Sequence, residues 1–137
     1  MIVQTQTTSF KAEVYQGVHN LLTDTIQIAL YTADANLDAD TTVYSTSSEV
    51  VASGYTAGGQ IMTGVALNTS GYTVYVNWAN VSWSTAVTAR CALIYNASQG
   101  NKSSAVLDFG SDKTSTSTFT ITMPANTSTS ALIRSSN

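Results

Sequence analysis

The stretch Val87–Asn96, VTARCALIYN, decides the fold class, because it is the longest mostly apolar run that contains no residue that would break a strand. At the two-residue period of a strand, one face carries only apolar side chains, those of Val87, Ala89, Cys91, Leu93 and Tyr95. The opposite face is half apolar and carries Thr88, Arg90, Ala92 and Ile94. This pattern predicts a central β-strand with a neighbour on each side.

Arg90 is the only charged residue in this stretch, and it needs a carboxylate partner if other elements cover it. We expect Glu49 or Asp24 to be that partner, because each lies beside an aliphatic strand segment. If the pair is covered, removing one member costs about 3 to 5 kcal/mol. The sequence therefore predicts structural roles for Arg90, Glu49 and Asp24.

Shorter alternating segments on both sides predict seven further strands, at 24–32, 60–67, 72–78, 81–84, 104–109, 117–123 and 130–134, and a weakly paired segment at 43–52. Apolar residues at helical spacing after Ser9, a possible cap, predict one helix that ends near Asn20. In the GYTAGG segment, Gly58 and Gly59 indicate positive φ or close backbone approach. Regularly spaced short strands are typical of an antiparallel β-sandwich or jelly roll.

The domain organisation follows from length and from the ends of the chain. With 137 residues the chain has the size of one domain. Residues 1–8 have Thr and Gln alternating behind two aliphatic residues and predict either a frayed terminus or an N-terminal arm that is extended until a partner receives it. Residues 9–134 are predicted to form the β-sandwich domain, and residues 135–137 a C-terminal tail.

Charged residues are scarce, with 8 acidic and 5 basic side chains and a net charge of −3. The five cations are scattered, so the chain lacks the basic patch that binds nucleic acid or an anionic membrane surface. No long apolar run predicts a membrane span or a cleaved signal. We therefore expect neither nucleic acid nor membrane as a partner.

Three groups of residues could carry chemistry, and each has a plainer interpretation that we favour. Asp34, Asp38 and Asp40 could bind calcium, but their spacing is not that of an EF-hand, and solvated loop acids are the simpler reading. His19, the only histidine, is expected to be a capping or surface residue. Cys91 is expected to be a small buried hydrophobe. The chain is thus predicted to be non-enzymatic, without metal or cofactor.

Aromatic residues offer a way to separate two classes of function. Trp78 and Trp83, with Tyr72 and Tyr75, could form an exposed platform that stacks on sugars, but on alternating strands such residues are more often core. A glycan-binding module requires exposed, coplanar rings. A structural protein predicts that Trp78 and Trp83 are buried.

Three blocks of the sequence carry a family resemblance. They are HN-x-x-x-DT-x-x-IALYT from His19, EV-x-x-x-GYTAGG from Glu49, and TAR-x-ALIYN from Thr88. From about Ser9 to Phe119 the chain resembles a family of small accessory virion proteins of tailed bacteriophages. The resemblance implies a cement or decoration protein that binds the major capsid protein, or another virion protein, on the capsid exterior after synthesis in the host cytoplasm. A tail, baseplate or fibre component that binds a glycan or host surface is the alternative.

Attachment to a capsid lattice further implies a homo-oligomer, most simply a trimer, because capsids present three-fold sites. With so few charges, we expect the contact to rest on apolar burial and backbone hydrogen bonds, with little effect of salt. The predicted interface is the arm, which would add a strand to a neighbouring sheet through Ile2, Val3, Thr5 and Thr7. Deleting residues 1–8 should then weaken attachment and leave the domain folded.

Overall fold

A computed structural model describes residues 3–136, with the side chain of residue 3 left out, and over this range the chain forms one α-helix and ten strands. In chain order the elements are β1 (Val3–Gln6), α1 (Thr8–Tyr15), β2 (Ile26–Tyr31), β3 (Gln60–Ile61), β4 (Ala66–Ser70), β5 (Thr73–Asn77), β6 (Val81–Trp83), β7 (Thr88–Asn96), a 3-10 turn (Ala97–Gln99), β8 (Lys102–Thr114), β9 (Phe119–Ile121) and β10 (Ile133–Ser135). The predicted all-β class with a short N-terminal helix is confirmed.

The strands form three antiparallel sheets, ordered β1-β8-β7-β2-β3, β10-β5-β4 and β6-β9. The predicted central strand is β7, which pairs with β2 on one side and β8 on the other. A large core cluster unites one face of the five-stranded sheet with α1 and the two smaller sheets, and Trp83 is among its most buried side chains. A smaller cluster on the other face is covered by Leu37 and Tyr44 from the loop after β2.

The two faces of β7 are not those that strict alternation predicts. Val87 and Ala89 belong to the large core together with Ala92 and Ile94, whereas Cys91, Leu93 and Tyr95 belong to the cluster on the opposite face. The ladder with β8 is irregular between Ala89 and Cys91, whose partners are Lys113 and Asp108. The alternation of β7 reverses across this irregularity, which includes Arg90, so the predicted single apolar face is wrong.

Arg90 does have a carboxylate partner, but both partners named from the sequence are wrong. Its Nε atom donates to Asp108 Oδ1 at 3.3 Å, and Asp108 also accepts from the Gly110 N–H at 2.8 Å. The bulge in β8 places Asp108 beside Arg90, while Glu49 and Asp24 bind other groups. The side chains of Arg90 and Asp108 are 38% and 52% exposed, so the pair is not covered.

We therefore expect Arg90→Met to lower the free energy of unfolding by less than about 1 kcal/mol, the usual value for an exposed ion pair. Urea denaturation of the variant and of Asp108→Asn provides the measurement. A loss of about 3 kcal/mol or more would mean that the pair behaves as a buried one.

The helix is shorter than predicted and begins earlier. Thr7, rather than Ser9, is the N-cap, and its hydroxyl accepts from the Phe10 N–H at 3.3 Å. The helix ends at Tyr15 because Gly17 adopts a φ of +74°. The Gly17 and Val18 N–H groups then donate to Val14 O and Glu13 O, which is the Schellman arrangement.

Two predicted strand segments are also revised. Residues 60–67, predicted as one strand, are divided between β3 in the five-stranded sheet and β4 in the three-stranded sheet. Between them the chain crosses from one sheet to the other, and Gly64 there has a φ of +68°. Residues 43–52 form only isolated bridges, including Tyr31 to Glu49 and Val43 to Lys102.

Candidate functional site

Glu49 lies at the centre of a buried hydrogen-bond network. The Tyr44 hydroxyl donates to its Oε1 atom at 2.6 Å, and the Tyr55 hydroxyl donates to Oε2 at 2.6 Å. The Gly58 N–H also donates to Oε2, at 2.8 Å. Because the residue is only 7% exposed, these three donors replace water for its carboxylate. Glu49 thereby holds together parts of the long connection between β2 and β3, a structural role that differs from the predicted pairing with Arg90.

The network continues into the five-stranded sheet. The Tyr55 hydroxyl accepts from the Leu30 N–H at 2.8 Å, and the Tyr95 hydroxyl donates to Gly58 O at 2.6 Å. The Tyr44 ring stacks on the Tyr95 ring with centroids 4.6 Å apart. Burial is the largest cause that raises the pKa of Tyr95 to about 12. Burial and then the hydrogen bond to Glu49 raise the pKa of Tyr55 above its ordinary value.

Gly58 and Gly59 have the backbone conformations predicted for them, with φ of +98° and +79°. Gly59 also lies against the backbone of β2, where a Cβ atom would be 1.8 Å from Ile28 O. No side chain fits there. The two glycines thus allow the loop to approach β2 and to present the Gly58 N–H to Glu49.

A second network surrounds His19, whose side chain is fully buried rather than at the surface as predicted. Its Nε2 atom lies 2.9 Å from Glu13 Oε1, and its Nδ1 atom lies 2.9 Å from Asn96 Nδ2. Asn96 Nδ2 also donates to Asp24 Oδ2 at 2.8 Å. Asp24, predicted to be structural, therefore holds the amide that contacts His19.

The bonds around Asn96 fix the roles of the two imidazole nitrogens. Asn96 Oδ1 accepts from the Ser98 N–H at 3.0 Å, so the amide nitrogen must be the atom that faces His19. An amide nitrogen only donates, and His19 Nδ1 therefore accepts. Nε2 then carries the proton and donates to Glu13. The only histidine thus links the end of α1 to β7 and has no reacting partner in this arrangement.

These contacts predict that the stability of the fold depends on pH in the acidic range. Hydrogen bonds from the Asn20 N–H and the Asn96 amide lower the pKa of Asp24, and those from the Gly110 N–H and Arg90 lower the pKa of Asp108. A lowered folded-state pKa means that the stabilisation is present above the ordinary value of 3.8 and is lost as the pH falls through the folded-state pKa.

We expect the free energy of unfolding to fall between pH 4 and pH 2, and to fall less steeply in Asp24→Asn and Asp108→Asn. Urea titrations across this range provide the measurement. Asp34→Asn is a suitable control, because Asp34 is exposed in a loop. Identical pH profiles for all four proteins would contradict the prediction.

The predicted arm is not free. Residues 3–6 form β1, an edge strand paired antiparallel with β8, and the side chains of Gln4 and Gln6 donate to carbonyl groups of residues 130–134. Thr7 is fully buried and bonds with Ser103 Oγ at 2.9 Å. Thr7 is therefore inaccessible to a partner in this fold, whereas Thr5 is exposed. Ile2 and the side chain of Val3 lie outside the described residues.

As a result, the domain begins earlier and ends later in the sequence than the predicted residues 9–134. β1 and Thr7 belong to the sandwich, and β10 includes Ser135. Deleting residues 1–8 would remove an edge strand, a helix cap and a buried side chain. We therefore expect that deletion to destabilise the domain, so a loss of binding on deletion would not by itself report attachment to a partner.

The acidic loop does not come together as a cation site. Within residues 3–136, no group of three or more His, Cys, Asp or Glu side chains is placed to hold a metal ion. The Asp38 carboxylate instead accepts from the Asp40 N–H at 2.8 Å, a bond within the loop. Cys91 is buried, as predicted, and burial raises its pKa to about 11.

The tryptophans are core residues. Trp78 and Trp83 are 5% and 2% exposed, and Trp83 packs against Tyr55 and Phe119. Tyr72, at the turn between β4 and β5, is exposed. The aromatic platform considered from the sequence is therefore not formed.

A surface groove lies between α1 and the three-stranded sheet, and we call it the helix groove. Its volume is about 710 Å³. The buried core residues Phe10, Val76 and Ile133 line part of it. Large apolar side chains that line it are also partly exposed, namely Val14, Tyr15, Leu22, Leu67 and Val74.

Charge is distributed unevenly around this groove. Its lining includes Lys11 on α1 and Arg134 on β10, two of the five cations of the chain, and no Asp or Glu. The Arg134 guanidinium is held by donation from Nη1 to Thr129 O at 2.6 Å. The sequence does not predict this groove, because apolar residues at helical spacing, such as Val14, are expected to be buried. The only local signal is Gly17, which ends the helix and leaves Val14 near its last turn.

Searches of protein-family models, of curated proteins and of solved structures found no match to this chain. Within the described range, no helix is both long and apolar enough to cross a bilayer.

Proposed function

We propose that the protein is a non-enzymatic structural component of a tailed-phage virion, and specifically a cement or decoration protein that binds the major capsid protein on the head exterior and stabilises the head. The observation that carries this proposal is the burial of Trp78 and Trp83. A glycan-binding module of a tail or fibre needs exposed rings, so their place in the core favours a cement protein.

The two buried networks support the same proposal. Glu49 and His19 are the residues most suited to chemistry, and their hydrogen-bonding atoms instead hold the connection between β2 and β3 together and link α1 to β7. Such bonds stabilise a small domain with few charged residues, which is what a shell component requires. The assembled form is proposed to be a homo-oligomer, most simply a trimer that matches a three-fold site of the lattice.

The test uses particles of the encoding phage with and without the gene. We expect heads that lack the protein to release DNA at a lower temperature, and purified protein added back to bind the heads and restore resistance. Light scattering of the purified protein would give its mass. Normal heads without the gene, together with protein found only in the tail, would favour the tail, baseplate or fibre alternative.

A further inference from the structure

We propose that the helix groove is the attachment site, and that its occupant is a segment of the partner protein with adjacent apolar side chains and at least one carboxylate. This inference rests on the proposed function for the identity of the partner. It deepens that function by assigning the surface and the chemistry of the contact.

The apolar part of the proposal rests on burial. Val14 is 45% exposed, Leu67 48% and Val74 40%, although they line the same groove as the buried core residues Phe10 and Val76. Leu67 and Val76 are directly paired across β4 and β5, so they share one face of that sheet. An apolar segment in the groove would extend the core outward and bury these side chains.

The carboxylate follows from charge complementarity. The chain carries a net charge of −3, yet this lining contains Lys11 and Arg134 and no acidic residue. Among the described residues, neither cation forms a salt bridge. Electrostatic complementarity means that a basic lining attracts an acidic segment, and we infer that this segment belongs to another protein.

The groove chemistry can be tested with two small probes. The anionic dye 8-anilinonaphthalene-1-sulfonate matches an apolar and basic groove, and N-phenyl-1-naphthylamine has the same rings without the charge. We expect both dyes to bind with increased fluorescence. Val74→Glu should weaken binding of the anionic dye by about tenfold or more, because it places a like charge among apolar walls.

Lys11→Glu should weaken binding of the anionic dye by about threefold to tenfold and change binding of the neutral dye by no more than about twofold. Val51→Glu is the matched control, because Val51 is 97% exposed and lies outside the groove. The proposal would be overturned if Val51→Glu and Val74→Glu weakened dye binding equally. It would also be overturned if neither Val74→Glu nor Lys11→Glu weakened binding of the anionic dye. Leu67→Glu replaces Val74→Glu if the latter fails to fold by circular dichroism.

The partner is tested by adding the same variants to heads that lack the protein. We expect Val51→Glu to bind as the unchanged protein does, and Val74→Glu and Lys11→Glu to bind at least about tenfold more weakly. If the unchanged protein binds heads and the groove variants bind equally well, the groove inference is wrong and the proposed function stands. If the unchanged protein binds the tail or nothing, the proposed function is wrong.

The oligomeric state tests whether a second copy of this chain occupies the groove instead. If a second copy of this chain fills the groove, Val74→Glu will dissociate the oligomer in sedimentation equilibrium, and that result would contradict the proposal. We expect the variant to keep the oligomeric state of the unchanged protein.

Discussion

Glu49→Ala is expected to lower the free energy of unfolding by about 3 to 5 kcal/mol, as the loss of a buried network does. The substitution leaves the Tyr44 and Tyr55 hydroxyls and the Gly58 N–H without the acceptor that they share. Burying a donor without a partner costs more than the net gain of the original bond. Separate parts of the connection between β2 and β3 would also lose the group that joins them.

Two milder variants separate the lost acceptor from the lost side-chain volume. Glu49→Gln keeps the shape and one acceptor oxygen and should cost about 1 to 3 kcal/mol. Tyr44→Phe removes one donor and should cost about 1 kcal/mol. Urea denaturation at neutral pH would give all three values. A Glu49→Ala protein within about 1 kcal/mol of the unchanged protein would show that the network does not stabilise the fold.

Gly59→Ala is expected to destabilise the protein more than alanine at Gly17, Gly71 or Gly100, where an added Cβ has open space. The new Cβ would lie 1.8 Å from Ile28 O and 2.6 Å from Ile28 C, atoms of the backbone of β2. Ile28 is fully buried in a strand paired on both sides, so it has no room to move. We expect loss of more than about 4 kcal/mol, or failure to fold.

Gly71→Ala is the matched control, because Gly71 also has a positive φ, of +58°, but no atom lies within 4 Å of its added Cβ. Its cost should be only that of the left-handed conformation, about 1 to 2 kcal/mol. Thermal unfolding of both variants provides the comparison. Equal losses in the two would mean that the contact with Ile28 has no effect.

The central position of β7 could be predicted, because a strand covered on both faces needs a long apolar run and Val87–Asn96 is the longest such run. The exchange of its faces at Arg90 could not be predicted. That exchange coincides with an irregular register between β7 and β8, and the register between two strands is a property of the pair. The partner of Arg90 was missed for the same reason, since the bulge is what places Asp108 beside it.

Local signals explain the errors in the helix. Gly17 follows Tyr15-Gln16 and is a helix stop that could have been used, whereas the apolar spacing alone extended the prediction to Asn20. The burial of His19 is different, because it depends on Asn96, which lies 77 residues away. No pattern near a histidine reports a partner so distant in sequence.

The three sequence blocks that carry the resemblance meet in the fold. His19 and Asp24 of the first block bond to Asn96 of the third, and Gly58 of the second bonds to Tyr95 of the third. Single residues in these blocks could be singled out from the sequence, as Glu49, Gly58 and Gly59 were. Their shared role required the paired register of β2 and β7.

The central claim is that this domain decorates the phage head through its helix groove, and imaging of the intact virion by electron cryomicroscopy tests it most directly. We expect density for the sandwich at regular sites of the head lattice, with α1 and the β10-β5-β4 sheet facing the major capsid protein and a segment of that protein seated between them. Density for this domain confined to the tail, or bound to the head through another face with the groove open to solvent, would contradict the claim.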